Sequence, residues 1–73
     1  MTDQQIHLTD TDQSILDEIE AHGRATPALL ADLTGRNTQH VRDRIKRLCE
    51  HGQLVKVSRG LYDTPEHADE YLG

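Results

Sequence analysis

The chain has a single cysteine, Cys49, so it can close no internal disulfide. It has no apolar run near the ~20 residues that a membrane span needs. Its first eight residues are polar and lack the basic-then-apolar order of a secretory signal. These absences lead us to expect a soluble cytoplasmic protein with no membrane partner. A glycine-rich phosphate loop, a serine-nucleophile elbow and a paired-cysteine motif are missing too. Cys49 and His51 lack the paired spacing of a zinc site, and the five histidines are scattered. Neither a metal nor a cofactor is expected, and no residue constellation points to catalysis. At 73 residues the chain makes one small domain, burying roughly 60–65% of its unfolded surface. That leaves no separate ligand-binding domain, so no small-molecule ligand is expected and a binding module is favoured over an enzyme.

Basic residues are also scarce, but their placement is informative. Net charge is −5, and only two lysines are present, Lys46 and Lys56. Residues 1–23 hold six acids and no Lys or Arg; residues 60–73 hold four acids and again no base. All eight Lys and Arg lie from Arg24 to Arg59, against the three acids Asp32, Asp43 and Glu50. A basic middle segment stands between two acidic ones.

Capping signals divide the chain into elements. Thr9 and Asp12 have the spacing of a capping box, with Asp in place of the commoner Glu or Gln. Ile15, Leu16 and Ile19 follow at helical spacing, and the acids of this segment are read as a solvated face. Helix one is expected over about residues 10–22, ending before Gly23. Thr26-Pro27 is a hydroxyl cap followed by a proline suited to the first helical position. It opens a short second helix, residues 27–33 or 34, with Leu29, Leu30 and Leu33 as its apolar stripe. Gly35 ends it, and Asn37 caps a third helix over residues 38–50 with Val41, Ile45 and Leu48 inward. Two helices joined by a short glycine-containing turn form a helix-turn-helix.

After Gly52 the period shortens. Residues 54–57, the turn Ser58-Arg59-Gly60 and Leu61-Tyr62 read as a β-hairpin. Its register is open: a two-residue turn at Arg59-Gly60 sets Val57 opposite Tyr62, whereas a three-residue turn sets it opposite Leu61. Thr64-Pro65 repeats the cap-plus-proline device and predicts a last helix over about 66–72, with Ala68, Tyr71 and Leu72 apolar. The expected fold is mainly α (α+β): a three-helix bundle, a two-stranded hairpin and a short C-terminal helix. Residues 1–8 are expected to be a flexible tail and residues 9–73 the domain.

Several phrases in this order resemble the archaeal winged helix-turn-helix regulators, in particular small haloarchaeal repressors related to the phage phi-H repressor. They are Leu8-Thr9-Asp10-Thr11-Asp12 and Ile15-Leu16, then Ala25-Thr26-Pro27, then Val41-Arg42-Asp43-Arg44-Ile45-Lys46-Arg47-Leu48. Gly52-Gln53-Leu54-Val55 and Ser58-Arg59-Gly60-Leu61-Tyr62 complete the set. The resemblance spans residues 8–72 and implies double-stranded DNA as partner, transcriptional control as a repressor, and often a homodimer. Tyr71 and Leu72, or Leu8 with parts of helix one, are the expected dimer surface. Asp43 and His40 depart from what a reading helix carries, so no base preference is transferred.

With Val41, Ile45 and Leu48 inward, Thr38, Gln39, Arg42, Asp43 and Lys46 fall on the outer face of helix three. The N-terminal part of a recognition helix reaches base edges, which makes Thr38, Gln39 and Arg42 the base-reading candidates. Gln39 suits adenine and Arg42 suits guanine. Arg36, Asn37, His40, Arg44, Lys46 and Arg47 are candidates for the DNA backbone, as are Lys56 and Arg59 in the hairpin. Arg59, at the hairpin tip, suits a narrow minor groove. The alternative is a winged-helix protein–protein module, with the basic helix and hairpin meeting an acidic partner or the acidic helices a basic one. An acid-rich, lysine-poor composition suits a halophilic cytoplasm. At ~1 M salt the Debye length is only ~3 Å, so a net negative charge opposes DNA binding far less there.

Overall fold

The computed structural model describes residues 8–72, and of Tyr71 and Leu72 only the backbone. Four helices and a hairpin follow one another: α1 (Asp10–His22), α2 (Pro27–Thr34), α3 (Thr38–Glu50), β1 (Val55–Ser58), β2 (Leu61–Asp63) and α4 (Pro65–Leu72). Each of the four helices opens as its cap residues dictate. Thr9 accepts from the Asp12 N–H at 3.1 Å while the Asp12 carboxylate accepts from the Thr9 N–H at 3.0 Å, the reciprocal pair of a capping box. Thr26, Asn37 and Thr64 accept from the N–H groups of Leu29, His40 and His67 in the same way. Gly35 closes α2 at φ 69°, a left-handed backbone that costs a residue without Cβ little.

Ile15 and Ile19 of α1, Leu30 and Ala31 of α2, and Val41, Ile45 and Leu48 of α3 meet in one core, joined by Ala25 and Leu54. Leu8, assigned above to the tail, packs against this core with Leu16, Cys49 and Tyr62. The apolar stripe expected for α2 is different. Leu30 and Ala31 are buried, but Leu29 and Leu33 are 44% and 39% exposed. Helical rotation is the reason: residues 29 and 33, four apart, share a flank about one quarter-turn from Leu30. A two-turn helix wedged between α1 and α3 buries only its middle.

The hairpin register follows neither expected pairing. Ser58 faces Leu61 across the Arg59-Gly60 turn, but Lys56, not Val57, faces Tyr62. Val57 is the extra residue of a β-bulge, which two residues against one produce. A second feature lacks any sequence periodicity. Ala25, between α1 and α2, forms an isolated antiparallel bridge with Tyr62, each N–H donating to the other's carbonyl at 3.0 and 2.9 Å. Tyr62 is therefore paired on both edges, to β1 and to the bundle.

The expectation that the acids of α1 are all solvated fails at Asp12, which is 0% exposed. Its carboxylate is gripped by Arg44 of α3: Nε donates to Oδ1 and Nη2 to Oδ2, both at 2.7 Å. Burial works to raise the Asp12 pKa, but the Arg44 and Thr9 donors overcome it and hold the carboxyl below its ordinary 3.8. Near the other end of the fold, Asp63 is buried and accepts from the Thr64 N–H at 2.7 Å and meets His67 Nδ1 at 2.9 Å. The bond to Asp63 raises the His67 pKa above its ordinary 6.5, against a smaller opposing effect of burial. All buried side-chain polar atoms among the described residues have partners.

Removing one partner of a buried ion pair strands the other charge, at a cost of about 3–5 kcal/mol. Arg44 keeps a quarter of its side chain in water, so Arg44→Ala is expected near the lower end, about 3 kcal/mol. Thermal denaturation should show a midpoint more than about 10 °C lower. The two titrating groups act in opposite pH windows. Asp12, with a lowered folded-state pKa, contributes stability above pH 3.8 that is lost as pH falls through its folded value. His67, with a raised one, contributes stability below pH 6.5 that is lost as pH rises through its folded value. In urea titrations across pH 5 to 9, His67→Gln should remove a decline that the wild type shows above about pH 6.5.

Candidate nucleic-acid interface

The 3.6-residue repeat of α3 sorts its polar side chains into two flanks on either side of the Val41, Ile45 and Leu48 stripe. His40, Arg44 and Arg47 follow one flank, and Gln39, Arg42 and Lys46 follow the other. The first flank turns toward α1. His40 Nε2 lies 3.2 Å from the hydroxyl of buried Thr11, and Arg44 is held by Asp12. Arg47, one turn on from Arg44, remains exposed. Of the three residues expected on the DNA backbone from this flank, Arg44 is half-buried, with Nε–H and one Nη2–H spent on a carboxylate. A guanidinium fixed that way has its charge matched by the carboxylate and its bidentate Nε/Nη2 edge closed to a phosphate.

The second flank faces the hairpin. Arg42 and Lys46 line a cleft together with Lys56 of β1 and Tyr62 of β2. The bulge at Val57 contributes to this arrangement, because it sets Lys56 level with Tyr62 rather than one residue out of step. Ile45, Cys49 and Pro27 complete the apolar part of the cleft, and Glu50 is the one acid on its lining. Arg59 sits exposed beside Gly60 in the turn that joins the strands, where the chain adopts φ 71°.

At the N-terminal end of α3, Arg36, Asn37, Thr38 and Gln39 are all exposed. Asn37 spends its side-chain oxygen on the cap, so its amide NH₂ is the group available to other acceptors. Gln39 Nε2 donates to Asp43 Oδ1 at 3.0 Å, so Asp43 pairs with Gln39 rather than with Lys46 or Arg47. The first helical N–H groups of α3 lie among these exposed residues, at the positive end of the helix dipole.

Sequence reasoning brought most of this surface together but missed its supports. Thr11 and Asp12 were read only as helix-start residues, since their partners lie 29 and 32 residues away. Tyr62 and Pro27 were read as a strand residue and a helix opener, with nothing in their local context to show a cleft. The acids Asp10, Asp17 and Glu20 lie exposed on α1, so positive charge is concentrated on the α3–hairpin side. No group of His, Cys, Asp and Glu among the described residues is placed to hold a metal, and no described helix is long and apolar enough to cross a membrane.

Comparison with known proteins agrees with the geometry. No curated protein and no solved structure gives a significant match. Residues 8–55, well over half of the chain, match the family model for winged helix-turn-helix DNA-binding domains. The matched stretch takes in all of α1, α2 and α3 and the first residue of β1. With α2 and α3 joined by the Gly35 turn and a hairpin following α3, the chain belongs to the winged helix-turn-helix DNA-binding family.

Proposed function

We propose that the protein is a small transcriptional regulator that binds double-stranded DNA in a sequence-dependent way, acting as a repressor. α3 enters the major groove with Thr38, Gln39 and Arg42 at base edges. The hairpin lies along the adjacent backbone or minor groove. The observation that carries this reading is the convergence of Arg42, Lys46 and Lys56 on one cleft beside the exposed N-terminal half of α3. Lys46, Lys56 and Arg59 contact phosphates or, for Arg59, the minor groove; Arg36 and Asn37 meet the backbone near the helix N-terminus. Arg47 is a peripheral phosphate contact. Arg44 and His40 leave this set: their partners on α1 make them positioning residues for α3. Gln39 exchanges its bond to Asp43 for a base when DNA binds.

A homodimer on a two-fold site belongs to the same reading, since a lone module buries only roughly 600–1,000 Å² on DNA. Of the surface expected for it, the Tyr71 and Leu72 side chains lie outside the described residues. The acid-rich, lysine-poor composition supports a haloarchaeal origin. Selection of bound sequences from a random duplex pool at low and at high KCl tests the whole reading. Recovery of a shared motif supports it, and retention of no duplex at either salt concentration would overturn it in favour of a protein partner.

Variants separate the assigned roles. Arg42→Ala should lower discrimination between the selected site and its point variants by about 1–3 kcal/mol at one position. Lys56→Ala and Arg59→Ala should weaken binding to all duplexes alike, each reducing the slope of log affinity against log salt by about 1. Arg44→Gln should destabilise the fold yet leave that slope unchanged at a temperature where the variant is folded. A slope reduced as much as for Lys56→Ala would return Arg44 to the phosphate contacts.

A further inference from the structure

The cleft between α3 and the hairpin has a composition that phosphate contact alone does not call for. Its volume is 560 Å³, inside the range of roughly 300–1,000 Å³ found for small-molecule sites. Three cations surround it, Arg42, Lys46 and Lys56, against the single acid Glu50. The rest of its lining is apolar or nearly so: half-buried Pro27, Cys49 and Tyr62, and the core residue Ile45 as its floor. Burial and the charge of Glu50 push the Cys49 thiol up, outweighing Lys56, so this floor stays uncharged at neutral pH. A sugar-phosphate chain gains from the cations but lays only the small C–H faces of its sugars against such a floor. A ligand with an apolar body and one anionic group uses both.

We propose that the α3–hairpin cleft is an effector site for a small aromatic carboxylate, whose binding excludes DNA. The carboxylate meets Lys56 and Lys46 at the rim, and the ring covers Cys49 and Pro27 beside Tyr62. Exclusion of DNA follows because the cations that hold the carboxylate are those assigned above to DNA; that consequence rests on the DNA-binding reading, whereas occupancy of the cleft rests on its lining alone. The domain thereby senses a ligand with the surface it uses on DNA.

2-Naphthoate, a fluorescent monoanion, is the probe, titrated into the full chain at constant ionic strength without DNA. A saturable change with half-saturation below about 1 mM is expected, with neutral 2-naphthamide at least about tenfold weaker. Cys49→Leu, which fills the floor without altering charge, should abolish saturation. Lys56→Gln, at an exposed position where folding is not at stake, should weaken it about tenfold. In gel shifts, 2-naphthoate should raise the protein concentration needed to retard duplex DNA for the wild type but not for Cys49→Leu. No saturation up to about 10 mM, equal binding of the amide, or unchanged binding by Lys56→Gln would overturn the proposal. Naphthoate binding with the expected variant pattern in a chain that retards no DNA would uphold the site and count against the DNA-binding reading instead.

Discussion

The paired hydrogen bonds from Arg44 to Asp12 are the constraint on which the geometry of the α3–hairpin surface depends. Two parallel N–H···O contacts at 2.7 Å fix distance and rotation together, as a single-point ion pair does not. The carboxylate is completely buried and is also half of the α1 capping box, so one side chain sets both the start of α1 and the rotation of α3. If α3 turned about its axis by a single residue's angle, the Asp12–Arg44 pair would open and Arg42 and Lys46 would leave the hairpin cleft. The Thr11–His40 contact reinforces the same choice from the neighbouring position. Charge buried in this way contributes little net stability; its clearest effect here is to select one orientation of a helix whose apolar stripe alone would allow some roll.

Electrostatics at longer range follow from that orientation. The chain is acidic overall, yet each basic residue falls in the middle segment, and the fold turns Arg42, Lys46 and Lys56 to one side. Removal of Arg44 from the free cations sharpens the contrast, since its charge is matched by Asp12. A DNA-binding protein of negative total charge is then physically coherent. Screening at high ionic strength mutes the distant acids while leaving contacts within a few ångströms intact.

Much of the fold was legible because local chemistry announces it. Thr9, Thr26, Asn37 and Thr64 each cap the helix expected of them, and Gly35 takes the left-handed turn between α2 and α3. Val41, Ile45 and Leu48 are buried, as their spacing requires. What could not be read was whatever depends on residues distant in sequence. Leu29 and Leu33 look like core by composition, but the placement of α2 between its neighbours decides otherwise. The bulge at Val57 and the bridge from Ala25 to Tyr62 leave no periodic trace. At the interface, Arg42 and Arg44 are indistinguishable in the string of letters. One faces a cleft and the other a buried aspartate only because successive even positions on α3 fall on different flanks.

The bridge between Ala25 and Tyr62 gives the helix-turn-helix and hairpin a distinctive topology. These two residues bracket α2, the Gly35 turn, α3 and the hairpin tip, and their mutual hydrogen bonds draw the ends of that excursion together. The whole segment from α2 to the hairpin is thus a closed loop pinned at its base, entering and leaving the rest of the domain at one point. Because the entropy of closing a loop grows only slowly with its length, added residues at the hairpin tip cost the closure little. α1 and α4 lie outside the loop, free to vary in sequence where they do not touch it, while the loop itself behaves as a cassette whose rim can be rewritten.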